Sequence, residues 1–154
     1  MALEIEHKYL TLNDNYKTMA VECHHLIQGY LCSDGKKTVR IRLWDDTALI
    51  TIKGPSADGG LSRFEYETEI DYQAGLKIIG LCDKTIDKHR YIVPWKGLKI
   101  EVDEFHGFHE GLVIAEIEVP AVDYIIPELP PFMGKEVTGD RHYYNSYLCK
   151  IQEQ

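Results

Sequence analysis

Seven stretches of this chain alternate apolar and polar side chains with a period of two: Leu3–Leu10, Thr38–Leu43, Ala48–Lys53, Arg63–Ile70, Lys84–Val93, Leu98–Phe105 and Leu112–Val119. Such alternation marks a strand with two unlike faces. Leu26–Cys32 is a further, less regular candidate, so the chain predicts about eight strands joined mostly by short turns. One face is apolar: Leu3, Ile5 and Tyr9; Val39, Ile41 and Leu43; Ile50 and Ile52; Phe64 and Tyr66; Ile100 and Val102; Ile117 and Val119. The other carries the acids Glu4, Glu6, Glu65, Glu67, Glu101, Asp103, Glu116 and Glu118, and the bases Lys8, Arg40, Arg42, Lys53, Arg63, Lys88 and Arg90. On spacing alone, this is the wet face of an open antiparallel sheet. Two features point elsewhere. Ordinary wet faces mix in Ser, Thr, Asn and Gln, and this one barely does. The bases also recur in i, i+2 pairs (40/42, 88/90), a spacing suited to gripping phosphate oxygens. A sheet curled with this face inward makes a tube, and about eight strands suffice to close around one small ligand. Charges crowded there are costly if dry and unpaired. They are reasonable around a polyphosphate and its divalent cations, where bases meet phosphate and carboxylates meet Mg²⁺ or Mn²⁺.

The rest of the chain fits one domain spanning 1–154. Its 154 residues, 44% apolar and 27% charged, exclude wholesale disorder. A net charge of −8 argues against a nucleic-acid polymer or an anionic membrane as partner. There is no apolar run long enough for a membrane helix and no visible secretory leader. Four scattered cysteines without a CxxC read as reduced thiols in the cytoplasm. Segment 54–60, GPSADGG, reads as a hairpin loop. Helices are expected from a cap at Asn13 or Asp14 to about His25, over 72–82 after Asp71, as a short turn over 122–126, and over 141–151 after Asp140. The expected class is therefore α+β: an eight-stranded antiparallel closed barrel with a charged lumen and helices packed outside.

Glu4-Ile5-Glu6-His7-Lys8 resembles the ExExK signature of the CYTH superfamily, the triphosphate tunnel metalloenzymes. VRIRL at 39–43, LITIKG at 49–54, GLSRFEYETEI at 60–70, KHRYIV at 88–93, IEVDEF at 100–105, AEIEV at 115–119 and VTGDRHYYN at 137–145 follow the family's order. The resemblance covers nearly the whole chain and is closest to the compact bacterial, inorganic triphosphatase-like members. It implies an eight-stranded tunnel that binds a triphosphate with Mg²⁺ or Mn²⁺. It also implies the site. Glu4, Glu6, Glu116 and Glu118 are the expected metal ligands, with Glu65, Glu67 and Asp103 as further carboxylate candidates. Lys8, Arg40, Arg42, Lys53, Arg63, Lys88, Arg90 and, from the tunnel mouth, Arg141 are the expected phosphate ligands. Glu4, Glu6, Lys8, Lys88 and Tyr30 are the catalytic candidates. Glu101 matches a lumen position, and His7 should face outward.

The implied reaction is metal-dependent hydrolysis of tripolyphosphate to pyrophosphate and phosphate, with a small-molecule substrate and a monomer or homodimer as the working form. Phosphoryl transfer needs alignment and charge neutralisation more than covalent help. Two other readings stay open: an organic-triphosphate enzyme (a class IV adenylate cyclase, or a thiamine or nucleoside triphosphatase) and a non-catalytic polyphosphate- or nucleotide-binding module. Competing motifs are weaker. Gly35-Lys36-Lys37-Thr38 lacks the upstream glycine of a P-loop, where Tyr30 stands, and reads as a turn. His24, His25, His106 and His109 have no metal-site spacing. Tyr143, Tyr144 and Tyr147 read as packing on a helix. Trp44 continues the Arg40/Arg42 row and is expected at the tunnel rim.

Overall fold

A computed structural model describes residues 3–151. The alternating stretches form strands β1 (Leu3–Thr11), β2 (Glu22–Ser33), β3 (Thr38–Trp44), β4 (Thr47–Ala57), β5 (Ser62–Ile70), β6 (Thr85–Trp95), β7 (Leu98–Phe105) and β8 (Val113–Glu118). They pair antiparallel in the order β5-β4-β3-β2-β6-β7-β8-β1, and β1 returns to β5 through Leu3↔Phe64, Glu4↔Arg63 and Ile5↔Ser62. The sheet is therefore a closed eight-stranded barrel, as expected. A ninth strand, β9 (Met133–Glu136), adds to β1 through Tyr9↔Glu136 and Thr11↔Met133. Its four residues are too short a run for alternation to reveal.

Closure puts the charged row inside and the apolar row outside. The main core lies on the outer side of β6, β7, β8 and β1. There Ile5, Tyr9, Val93, Ile100, Val102, Ala115 and Ile117 are covered by Tyr16 and Phe132. Tyr16 meets Tyr91 and Phe132 edge-on, at ring separations of 5.4 and 5.8 Å. Helix α2 (Tyr72–Leu81) covers β3 and β4 elsewhere on the wall. Its N-cap is Asp71, whose carboxylate accepts the Ala74 amide at 3.0 Å. Helix α3 (Asn145–Lys150) lies across one end of the barrel. Leu148 and Cys149 pack there on the inward-facing Ile86, Phe105 and Ile114.

Three helix expectations need correction. The helix expected to reach His25 is a single turn, α1 (Tyr16–Met19), because Ala20 is extended and β2 begins at Glu22. A strand position between β3 and β6 outweighs the weak helical pattern there. Residues 122–126 form turns without a helix. Asp140 caps only the three-residue 3₁₀ turn Arg141–Tyr143, and the last helix starts at Asn145. The hairpin expected over 54–60 is shorter: residues 54–57 continue β4, and the turn Asp58–Gly60 makes the connection to β5.

The contact between α2 and the wall leaves no spare room. A Cβ on Gly75 would sit 2.4 Å from the Ala48 Cβ, which cannot swing aside. Gly75→Ala should therefore destabilise the protein by about 1–3 kcal/mol through overpacking. The expected readout is a lower urea midpoint; an unchanged midpoint would show that α2 can ride away from the sheet freely.

Candidate active site

The barrel encloses a cavity of about 290 Å³. Its wall contains thirteen of the fifteen charged residues of the alternating row: Glu4, Glu6 and Lys8 from β1, Arg40 and Arg42 from β3, Lys53 from β4, Arg63, Glu65 and Glu67 from β5, Arg90 from β6, Glu101 from β7, and Glu116 and Glu118 from β8. Tyr30 and Trp44 line it as well. So does Lys99, a base the sequence reading passed over although it shares the parity of Glu101.

Lys88 and Asp103 are the two exceptions. Both lie behind the lining, almost completely buried. Arg90 Nε and Nη2 donate to the two Asp103 oxygens at 2.7 and 2.8 Å, and Lys88 Nζ approaches the second at 2.7 Å. Lys88 also donates to Asn145 Oδ1 at 2.8 Å. Asp103 is thus saturated by cations. This departs from its expected metal role and makes it the anchor that orients Arg90. Arg141 departs too: it does not line the lumen but borders a neighbouring cleft. His7 lies on the outer side, against Glu136 at 2.7 Å.

The cationic wall carries more charge than its neighbours answer. Burial and the adjacent Arg40 and Arg90 hold the Arg42 guanidinium pKa down to about 9. Its Nε donates to Gln28 Oε1 at 3.1 Å, and Gln28 Nε2 donates to Tyr30 Oη at 3.0 Å. Arg40 donates to Thr51 Oγ1 at 3.1 Å and more weakly to Glu67 at 3.4 Å, while its buried Nε has no partner. Trp44 stacks beside Arg90, whose guanidinium lies 5.7 Å from the ring. Lys8 reaches the Tyr143 carbonyl at 3.3 Å and lies 5.0 Å from the Tyr144 ring.

The acidic side shows the converse strain. Glu6 stands opposite Glu118 in the β1–β8 register, and Glu101 stands opposite Glu116 in β7–β8. Like charges in such positions destabilise a sheet. Burial, then the Glu116 charge, push the Glu6 pKa well above the ordinary carboxyl range. Burial alone would raise Glu116 too, but Lys8 and the hydrogen bond with Glu6 hold it well below that range. Glu6 is therefore the partner whose charged form is the less favoured of the two. Glu65 is likewise raised, by burial and its bond to Glu4, while Lys53 keeps Glu4 low against burial. Lys53 Nζ sits 3.0 Å from Glu4 and 3.2 Å from Glu65.

Among the described residues no three His, Cys, Asp or Glu side chains already converge on one metal-sized point. The carboxyls instead approach in the pairs Glu6–Glu116 and Glu4–Glu65, and such all-oxygen pairs fit a hard divalent cation. Glu67 is less free, since Thr51 donates to it at 2.6 Å.

Comparison with known proteins agrees with this geometry. Residues 2–144 match the CYTH domain. The chain belongs to the CYTH family. An inorganic triphosphatase of Acetivibrio thermocellus is 44% identical to this CYTH protein, covering 97% of this chain and 95% of the relative. An inorganic triphosphatase of Nitrosomonas europaea is 33% identical, covering 95% and 96%. The crystal structure of the inorganic triphosphatase NE1496 superposes with a TM-score of 0.65 at 28% identity, covering 97% of this chain and 95% of that one.

Two outcomes follow. Asp103→Ala leaves Arg90 only its longer contact with Glu101, at 3.3 Å, and Lys88 only the neutral Asn145 amide oxygen, so it should destabilise by about 3–5 kcal/mol. A denaturation midpoint equal to wild type would contradict the anchoring role. Burial, only partly offset by an Asp103 already shared with Arg90, holds the Lys88 pKa down to about 7. An unfolded lysine titrates near 10.4, so between about 7 and 10 the unfolded chain binds a proton that the folded chain lacks. Stability from this group should rise with pH across that window. Wild type should gain about 2 kcal/mol between pH 7 and pH 9 relative to Lys88→Met, by urea denaturation; a pH-independent difference would contradict it.

Proposed function

We propose that this protein binds a triphosphate inside the barrel and hydrolyses inorganic tripolyphosphate to pyrophosphate and phosphate. It is a CYTH hydrolase acting on phosphoric anhydride bonds, like the inorganic triphosphatases it resembles over nearly its whole length. The observation that carries the reading is the Arg40–Arg42–Arg90 wall, three buried guanidinium groups that line one cavity, of which Arg42 is held down to about 9 by burial and then by its two like neighbours. A polyanion is the ligand that relieves it.

Arg40, Arg42, Lys53, Lys8, Arg63 and Arg90 hold the phosphate oxygens in this reading, with Arg40 Nε supplying an unused donor. Gln28 aims Arg42, and Asp103 aims Arg90. CYTH triphosphatases are metal-dependent as a family. Glu4, Glu6, Glu65, Glu116 and Glu118 are the residues that would hold Mg²⁺ or Mn²⁺. When bound, such an ion supplies charge neutralisation on phosphate oxygens and an acidified water. Glu6 and Glu116 would act as ligands only in their ionised forms, so binding of the ion would favour loss of any proton between them. The clamp then fixes the chain in line for attack and stabilises charge on the departing pyrophosphate. The four cysteines are unpaired, which supports a reducing compartment such as the cytoplasm. No helix among the described residues is long and apolar enough to cross a membrane.

The test is a panel of tripolyphosphate, ATP and thiamine triphosphate with Mg²⁺ and with Mn²⁺, read for phosphate, pyrophosphate and cyclic AMP. Tripolyphosphate should be the preferred substrate, and EDTA should abolish turnover. Arg40→Ala should lower kcat/KM about a hundredfold or more. Cyclic AMP as main product, or full activity in Arg40→Ala, would overturn the proposal.

A further inference from the structure

Strand alternation puts His89 on the outer side of the wall whose inner side carries Arg90. His25 stands opposite His89 in the β2–β6 pairing. His106 is the first residue after β7, and its amide donates to the Asp87 carbonyl at 2.9 Å. The result is a row of three imidazoles on the outside of the barrel. His25 stacks on His89 with ring centroids 4.8 Å apart and planes 20° apart, and His106 meets His89 edge-on, also at 4.8 Å. His89 Nδ1 and His106 Nε2 face each other at 2.7 Å, and both residues are half-buried.

The groups around this pair leave its facing nitrogens to each other. His25 Nε2 is taken by Asp87 Oδ1 at 2.8 Å. Glu104 accepts from the Tyr16 hydroxyl and pairs with Lys17 at 3.0 Å. The 3₁₀ turn Gly107–His109 brings Glu110 back to within 3.7 Å of His106 Nδ1, the nitrogen turned away from His89. A carboxylate behind the far nitrogen is the usual support of a metal-ligating histidine, fixing its tautomer and ring orientation. Two nitrogens on one ion at about 2.0–2.1 Å stand roughly 2.9–3.4 Å apart, so the rings need part by only a few tenths of an ångström. Both facing nitrogens must then offer lone pairs, with each hydrogen on the far nitrogen; for His106 that is Nδ1, on the side of Glu110.

We propose that His89 and His106 form a second cation site, on the outer wall, for a transition metal of the Zn²⁺, Ni²⁺ or Cu²⁺ class, with Glu110 holding His106 in its ligating orientation. Its chemistry is unlike that of the lumen. Imidazole nitrogen suits these ions, whereas the lumen carboxyls offer oxygen to a hard cation. The two ligands lie 17 residues apart in the chain, and only the β6–β7 register brings them together. The bound ion ties β6 to the segment after β7 at the open end of their hairpin, and it stabilises the fold by mass action.

The test is a Cu²⁺ titration of the whole protein in excess Mg²⁺, followed by electron paramagnetic resonance. Oxygen ligands in the lumen give no nitrogen splitting, whereas a pair of imidazoles does. Wild type should bind one equivalent with the splitting of two nitrogens. His106→Gln should lose that signal while its urea midpoint without transition metal stays near wild type. Glu110→Gln changes an exposed side chain, and it should keep the spectrum but bind Cu²⁺ about tenfold more weakly. Zn²⁺ in the same Mg²⁺ buffer should raise the urea midpoint of wild type and leave that of His106→Gln unmoved. A two-nitrogen spectrum that survives in His106→Gln, wild-type Cu²⁺ held by oxygen alone, or undiminished affinity in Glu110→Gln would overturn the site.

Discussion

The hydrogen bonds that join β1 to β5 decide what the rest of the molecule is for. They turn a sheet with a charged face into a tube with a charged lining, and every later property depends on that inversion. Side chains that would cost nothing in bulk water are pressed together where water is scarce. Their mutual energies rise accordingly. Closure also removes the open edges that an eight-stranded sheet would otherwise expose.

The lining tolerates this because its charges are divided between structure and function. Asp103 answers Arg90 and Lys88 behind the wall, and its two oxygens leave nothing for a ligand. Lys53 bridges Glu4 and Glu65. What remains is unresolved within the protein: Arg40 and Arg42 crowd one side beside Arg90, and buried carboxyls press on one another on the other. Each imbalance is the counterpart of one component of a metal-bound triphosphate. The site is thus held at a local cost in stability that a ligand removes.

Much of this was legible in the alternation. Parity alone assigned the Glu4/Glu6/Lys8, Arg40/Arg42 and Glu116/Glu118 rows to one face, and the barrel keeps them there. Parity could not say whether that face turns in or out, since a strand looks the same from either side; the resemblance supplied the direction. Depth along the axis was also invisible. Lys88 and Asp103 share a row with Arg90 and Glu101 yet lie behind the lining, where the strands meet α3. Residues 13–25 misled because a few apolar positions near a capping residue imitate a helix, while the pairing that makes Glu22–Ser33 a strand is entirely non-local. Arg141 was misplaced for the same reason: its position depends on how the turn after Asp140 folds against the β4–β5 hairpin.

A crystal structure with tripolyphosphate bound is the most direct test of the inverted, polyanion-filled tube. The account predicts phosphorus density inside the barrel, with oxygens on Arg40, Arg42 and Lys53 and the Glu6–Glu116 pair opened apart. Tripolyphosphate held only on the outer surface, with those two carboxyls still in contact, would contradict it.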